Sequence, residues 1–157
     1  MVRKLIFTVA CMTSTAALAA PAPVFLTDAI RGNFSEVTLG RMIQNRGATP
    51  NIRQFGAMLV RDHSNGLAQA QQIAARLRLR IPAMLTPQAR SERVLLQRLG
   101  GRAFDREARR YMINDHLQDI AKFKAQVRSG DRATSGYAAA TVPVMQRHLA
   151  TARSIRV

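Results

Sequence analysis

The sequence predicts an all-α protein, built as an up-and-down bundle of four long helices with one short extra connecting helix. Two observations lead to this fold class. Apolar residues recur every three or four positions through long stretches, and no stretch keeps the period of two that is typical of strands. Pro and Gly, which often mark helix ends, divide the 157 residues into segments of helical length with short loops between them. A chain of this length can form one domain with a real core.

Residues 1–19 are predicted to be a secretory signal peptide, which leaves residues 20–157 as the bundle domain. A basic pair precedes an apolar run, and the sequence ALA at residues 17–19 is a small-residue cleavage signal. The run is too short for a stable membrane span. Its Cys11 is the only cysteine of the chain. A lipoprotein anchor at Cys11 is the weaker alternative, because residues 8–10 do not suit a lipoprotein signal and the apolar stretch before them is too short. We therefore expect an exported, soluble, periplasmic protein without disulfides or cysteine catalysis.

The boundaries of the first two helices follow from their flanking residues. The first helix should begin near Phe25 and end near Gly47. Thr49 and Pro50 suit the N-cap and first position of the second helix, which we expect to run to Arg80, before a proline.

The remaining helices are bounded in the same way. Thr86-Pro87 should open the short connecting helix, and Gly100-Gly101 should close it. A long helix is expected from about Ala103 to Arg128, with Gly130 in the usual C-cap place. Asp131 can cap the last helix, which should reach about Ser154.

Each long helix carries an apolar stripe that includes one ionisable residue. The stripes are Phe25, Ala29, Gly32, Glu36, Leu39 and Ile43; Ile52, Gly56, Leu59, His63, Gly66, Ala70, Ile73 and Leu77; Ile113, His116, Ile120, Phe123 and Val127; and Tyr137, Thr141, Val144, His148, Ala152 and Ile155. The rise of 1.5 Å per residue places Glu36 and His63 roughly 15 and 20 Å from their shared loop. The same rise places His116 and His148 roughly 18 and 24 Å from the loop at Gly130, which joins their two helices. The spacing therefore predicts one polar layer across the bundle.

Five short motifs, in this order and spacing, resemble an exported bacterial family, domain of unknown function 4142. They are EVTLG at 36–40, MLVRDH at 58–63, FD at 104–105, YMINDH at 111–116 and VPVMQRHL at 142–149. The resemblance covers about residues 25–154. It implies a ferritin-like four-helix bundle and implies no activity.

The residues of the layer suit a mononuclear metal site better than a ferritin-like pair of metals. Such a pair needs Glu-x-x-His motifs, and none occurs here. One carboxylate and three imidazoles (Glu36, His63, His116 and His148) are a sensible ligand set for one divalent Zn, Cu, Fe or Mn ion. Further residues lie near the histidines on their helices and are candidates for the surrounding shell: Asp62, Asp115, Met112 and Met145.

A structural alternative to metal binding stays open at this point. Methionines at helical spacing commonly fill cores. The Glu/His layer could also be a closed hydrogen-bonded network that fixes helix register. The protein would then be a non-enzymatic, basic interaction module of the bacterial envelope. We assign no catalytic residues, because Ser64 faces away from His63 and no phosphate-binding loop or nucleophile elbow occurs.

The charge of the chain is strongly basic. Without the two basic residues of the leader, 22 basic and 9 acidic residues remain, a net charge of +13. Ten arginines fall between Arg76 and Arg110 without interleaved stacking aromatics. We expect no nucleic-acid partner for an exported protein of this kind. The arginines are expected to be a solvated surface, with loose association with anionic envelope surfaces as the functional alternative.

Overall fold

The computed structural model describes residues 18–157, so the predicted signal peptide at residues 1–19 and Cys11 lie outside the described residues, apart from Leu18 and Ala19. The described chain is all-α, as predicted, and contains no strand. Its helices are α1 (Ala22–Arg46), α2 (Pro50–Arg76), α3 (Pro87–Arg98), α4 (Gly101–Ser129) and α5 (Ser135–Ser154). No helix in this part of the chain is both long and apolar enough to cross a membrane.

The helices pack as two hairpins placed side by side. α1 packs along α2, and α4 packs along α5. The hairpins meet where α2 contacts α5 and α1 contacts α4, and the short α3 lies against α1 and α4. The four long helices therefore form a helical bundle with α3 on its α1–α4 side.

Several predicted helix ends are confirmed by their capping contacts. The Thr49 side chain accepts a hydrogen bond from the Ile52 amide at the start of α2. The Thr86 hydroxyl accepts one from Ala89 at the start of α3. Gly130 ends α4 with a φ of 67°, the left-handed conformation that glycine adopts at low cost.

The predicted end of α2 at Arg80 was wrong, because the helix stops at Arg76. Arg78 has a φ of 57°, and the Leu79 amide donates to the carbonyl of Ala74. This is the hydrogen-bond pattern of a Schellman C-cap with arginine where glycine is usual. The stripe member Leu77 lies beyond the helix and is 41% exposed.

Two other details of the predicted elements differ from the structure. α5 begins at Ser135, with Thr134 and not Asp131 as its N-cap. The Asp131 carboxylate instead accepts hydrogen bonds from the Ala133 and Thr134 amides and so shapes the preceding turn. Val127, expected in the α4 stripe, is 38% exposed, whereas the adjacent Ala125 and Gln126 are buried, so the buried face near the end of α4 does not follow the predicted stripe.

A buried aspartate joins the start of α4 to the α1–α2 loop. Asp105 is fully buried, and its two carboxylate oxygens accept hydrogen bonds from the Ala48 and Thr49 amides at 2.8 and 3.0 Å. The Thr49 hydroxyl donates to the same carboxylate at 3.0 Å. The motif at residues 104–105 therefore ties the start of α4 to the α1–α2 loop at this end of the bundle.

Most buried apolar residues of the described chain fall into two clusters, and only Val37 and Ala125 belong to neither. The upper cluster is Phe25, Leu26, Ala29, Ile30, Ala70, Ala74, Ile120, Phe123, Tyr137, Ala138, Met145 and Leu149. The lower cluster is Leu39, Ile43, Ile52, Phe55, Leu59, Ala89, Leu96, Phe104, Ala108, Met112, Ala152 and Ile155. Along α1, α2 and α4 the ionisable residue falls between the members of the two clusters, and on α5 it directly precedes Leu149. The polar layer thus lies where the clusters meet.

Candidate metal centre

Each of the four long helices contributes one buried ionisable side chain to the layer. Glu36, His63, His116 and His148 are 3%, 7%, 2% and 0% exposed. The three imidazole rings lie with their centroids 5.0 to 5.6 Å apart. One ring nitrogen from each histidine lies within 4.8 Å of the other two. The structure therefore brings the three histidines of the predicted ligand set together as one donor group and places Glu36 beside them, in a second group with Asp115 and His116.

The hydrogen bonds of His116 determine which of its ring nitrogens carries the proton. Its Nδ1 lies 2.9 Å from the carbonyl oxygen of Met112, one turn earlier on α4. A carbonyl oxygen can only accept, so Nδ1–H is the donor. The Nε2 atom of neutral His116 is consequently unprotonated and carries a free lone pair.

The same argument applies to His148 on α5. Its Nε2 lies 2.9 Å from Oδ2 of Asp62. Burial tends to raise the pKa of Asp62, but hydrogen bonds from Arg61 and His148 outweigh burial and hold that pKa below its usual value. The ionised carboxylate can only accept, so Nε2–H is the donor and Nδ1 of neutral His148 is unprotonated.

His63 is oriented by a chain of polar groups on α1, α2 and α5. Its Nδ1 lies 3.0 Å from Oδ1 of Asn33. The Asn33 amide nitrogen donates to the Ala29 carbonyl and to the Tyr137 hydroxyl, which fixes Oδ1 toward the histidine. The Tyr137 hydroxyl in turn donates to the Gly66 carbonyl. His63 therefore donates through Nδ1, and its Nε2 is unprotonated.

Burial keeps these imidazoles neutral. It is the main cause that lowers the pKa of His63, well below the usual value, and the pKa of His116, to about 4. It also lowers the pKa of His148, although Asp62 acts in the opposite direction. At neutral pH the three histidines thus point three unprotonated nitrogens into one layer.

The contact between His116 and His148 is unfavourable for a chain without a bound ligand. His116 Nε2 and His148 Nδ1 are 3.2 Å apart, and neither atom has a proton to share. The His63 Nε2 atom is buried and finds no hydrogen-bond partner among the described residues. Two nitrogens bound to one tetrahedral metal ion at about 2.0–2.1 Å would be about 3.3 Å apart. The observed separation therefore fits two ligands of one ion.

Glu36 completes the layer next to His63. Its Oε2 is 3.9 Å from His63 Nε2 and, within the described chain, is a buried oxygen without a hydrogen-bond partner. Burial, followed by the charge of Asp115, raises the pKa of Glu36 well above its usual value. A nearby divalent cation would offset both effects and favour the ionised carboxylate.

The four residues predicted to surround the histidines have different surroundings. Asp62 contacts His148 directly, and Asp115 lies within 4.8 Å of ligand atoms of Glu36 and His116. The side chain of Met112 packs in the lower apolar cluster, and that of Met145 packs in the upper one. Met112 reaches the site through its backbone carbonyl, an interaction with His116 that side-chain spacing does not indicate.

Sequence reasoning missed two residues of the site and the role of a third. Asn33 lies outside the predicted stripe of α1, and Tyr137 was counted only as an apolar stripe member. Gly66 provides the space for Asn33, because a Cβ atom on Gly66 would lie 2.5 Å from Asn33 Oδ1. A polar residue one turn before Glu36 was the available signal for Asn33.

The comparisons with known proteins extend the motif resemblance to almost the whole chain. The model of a family described as Domain of unknown function (DUF4142) matches residues 8–155. Searches of curated proteins and of solved structures gave no significant match.

Proposed function

The chain belongs to the family Domain of unknown function (DUF4142), and from the geometry of its polar layer we propose that it binds one divalent transition metal ion. His63, His116 and His148 would supply Nε2, Nε2 and Nδ1 as ligands, and Glu36 would supply a carboxylate oxygen. Three neutral imidazoles and a carboxylate are suitable ligands for Zn, Cu, Fe or Mn.

One observation carries this proposal: each histidine donates its outer N–H to a fixed acceptor. The acceptors are the Asn33 side chain, the Met112 carbonyl and the Asp62 carboxylate. Histidines that bind metals almost always donate their second N–H in this way, which fixes the ring and its tautomer. A closed hydrogen-bonded network would instead pair the inner nitrogens, and these are the atoms left without protons.

The finer fold and the location of the protein belong to the same proposal. We infer a ferritin-like arrangement of the four long helices, supported by the two hairpins packed side by side and by the one site residue on each helix. We also infer export to the periplasm, supported by the composition of residues 1–19. The protein would then be an exported protein that binds a metal ion in its core, and we assign it no catalytic step.

Metal analysis of tag-free, chelator-treated protein tests the proposal. Titration with Zn(II), Cu(II), Mn(II) and Fe(II) should give one bound equivalent of at least one metal and a higher melting temperature, since a ligand that binds only the folded state stabilises it. His116→Ala should abolish both effects. If no metal binds or shifts the melting temperature, and His116→Ala still destabilises the chelator-treated protein by about 1–3 kcal/mol, the layer is a structural network.

A second candidate function, association with an anionic surface, is supported by the outer face of α3. Val94 and Leu95 are 44% and 41% exposed, and three exposed arginines, Arg90, Arg93 and Arg98, lie on the same short helix. Exposed aliphatic and basic groups together favour anionic lipid head groups. Co-sedimentation with vesicles containing phosphatidylglycerol, but not with phosphatidylcholine vesicles, should decrease when Leu95 and Arg93 are replaced by Ser and Gln. Equal sedimentation with both vesicles would refute this function.

A further inference from the structure

A cavity of about 530 Å³ lies between α1 and α4, next to the polar layer. Asp28 of α1 and both Asp115 and Asp119 of α4 line it, and the start of α3 forms one side. Two cationic side chains, Arg31 and Lys122, also line the cavity, and Lys122 Nζ lies 3.1 Å from Asp119 Oδ1. Three carboxylates and two cations therefore surround a space large enough for a small ligand, so acidic groups exceed basic ones by one.

The carboxylates continue from the cavity into the polar layer. Asp115 lines the cavity and also lies within 4.8 Å of ligand atoms of Glu36 and His116. Glu36 is only 3% exposed, and its Oε2 lacks a hydrogen-bond partner in the part of the chain described. That oxygen is 3.9 Å from His63 Nε2. A row of oxygen ligands thus leads from the surface to the histidines.

The distribution of charge around this route differs from that of the whole chain. The chain has a formal net charge of +15 and only nine acidic residues. Five of those nine lie at the cavity or the layer: Asp28, Glu36, Asp62, Asp115 and Asp119. A chain this basic repels cations in general, so a local concentration of carboxylates creates one favourable path for them.

We propose that this cavity is a loading site, where a hydrated divalent cation binds before it passes by Asp115 and Glu36 to the histidines. The inference rests on the proposed metal binding and adds a route to it. An ion with six waters occupies about 200 Å³ at about 30 Å³ per water, which the cavity can hold. The centroids of the three imidazole rings are only 5.0 to 5.6 Å apart, which is too close for a fully hydrated ion between them. The ion therefore exchanges its waters for carboxylate and then imidazole ligands on the way.

Stopped-flow mixing of chelator-treated protein with Co(II), followed by visible absorbance, tests the route. Asp119→Asn and Asp115→Asn should each slow Co(II) uptake about 5- to 10-fold at low salt, while the equilibrium affinity changes less than 3-fold. Glu107→Gln is the matched control, since it removes one negative charge from α4 away from the cavity and should leave the uptake rate unchanged. The difference should shrink in 0.5 M salt, where charges are screened within about 4 Å.

Lys122→Gln provides a test of opposite sign, because removing this cation should accelerate uptake. Uptake at the wild-type rate in both aspartate variants would overturn the route and leave the metal site intact. An equal loss of rate and affinity would also overturn it, because Asp115 or Asp119 would then act as a ligand of the final site. If the wild-type protein binds no Co(II), Zn(II), Cu(II), Mn(II) or Fe(II), the metal site itself fails, and the route fails with it.

Discussion

Asp62→Asn should weaken metal binding about 10- to 100-fold and destabilise the metal-free protein by at most about 1–2 kcal/mol. In the wild type, Asp62 accepts a hydrogen bond from Nε2–H of His148. The Nδ1 atom of His148 is therefore unprotonated, and it lies 3.2 Å from the unprotonated Nε2 of His116. An asparagine can donate its amide N–H to Nε2 instead. The proton of His148 can then occupy Nδ1 and be donated to His116.

The size of both effects follows from this exchange of protons. The metal-free variant loses a hydrogen bond to a charged group, about 1.5–3 kcal/mol, but gains a hydrogen bond of about 1 kcal/mol where two lone pairs faced each other. Its net loss should therefore be at most about 1–2 kcal/mol. The metal must now compete with a proton on its ligand atom and lacks the carboxylate behind it, which typically costs 10- to 100-fold in affinity, or about 1.4–2.7 kcal/mol.

Three measurements on chelator-treated protein check this prediction. Competition with a chelator gives the metal affinity, thermal melting gives the stability, and long-range ¹H–¹⁵N NMR shows which nitrogen of His148 is protonated. Arg61→Gln is the control, because Arg61 is the other partner of Asp62, at 2.8 Å, and is largely exposed. It should change the affinity less than about 3-fold. An Asp62→Asn protein with wild-type affinity would refute the tautomer argument.

Three further predictions concern other positions. Gly66→Ala should displace Asn33, whose Oδ1 would lie 2.5 Å from the new Cβ, and so weaken metal binding and cost about 1–3 kcal/mol of stability. Gly136→Ala is the control in the same melting and titration experiments: this glycine is also helical but has open space around it, so the metal affinity should not change and the stability should stay the same or rise by up to about 1 kcal/mol. Arg78→Gly should raise the stability by about 0.5–1 kcal/mol because the φ of 57° is unfavourable for arginine, and an unchanged melting temperature would contradict this. Burial, and then the charge of Glu107, raises the pKa of Glu92 to about 7. The folded state then binds a proton that the unfolded state releases near pH 4.5, so stability is lost as the pH rises from about 4.5 to 7, and Glu92→Gln should be more stable than the wild type by roughly 2 kcal/mol at pH 8 but not at pH 4.5 in chemical denaturation.

The position of the site along the bundle axis could be predicted from the sequence because an α-helix has a fixed rise per residue. Counting residues from each loop placed Glu36 level with His63, and His116 level with His148, to within about one helical turn. Their burial followed from the stripes, since an ionisable residue in the middle of a stripe has no other direction to face. The family motifs agreed with the same four positions.

The parts that were not predicted depend on contacts between distant segments or on unusual backbone. The carbonyl of Met112 and the amide of Asn33 orient histidines through hydrogen bonds that spacing alone does not indicate. The end of α2 was misplaced because a C-cap without glycine has no sequence signal. Val127 was assigned to the core because the apolar spacing of α4 was extended to its end, where the polar Gln126 is buried instead.

The placement of one site residue on each long helix has a consequence for assembly. The α1–α2 hairpin holds Glu36 and His63, and the α4–α5 hairpin holds His116 and His148. A chain with a single hairpin formed would therefore offer an ion two donors, and only the docked pair of hairpins would chelate it fully. Ion retention would then report that the whole bundle has assembled, and the ion would cross-link segments more than a hundred residues apart in sequence, from Glu36 to His148.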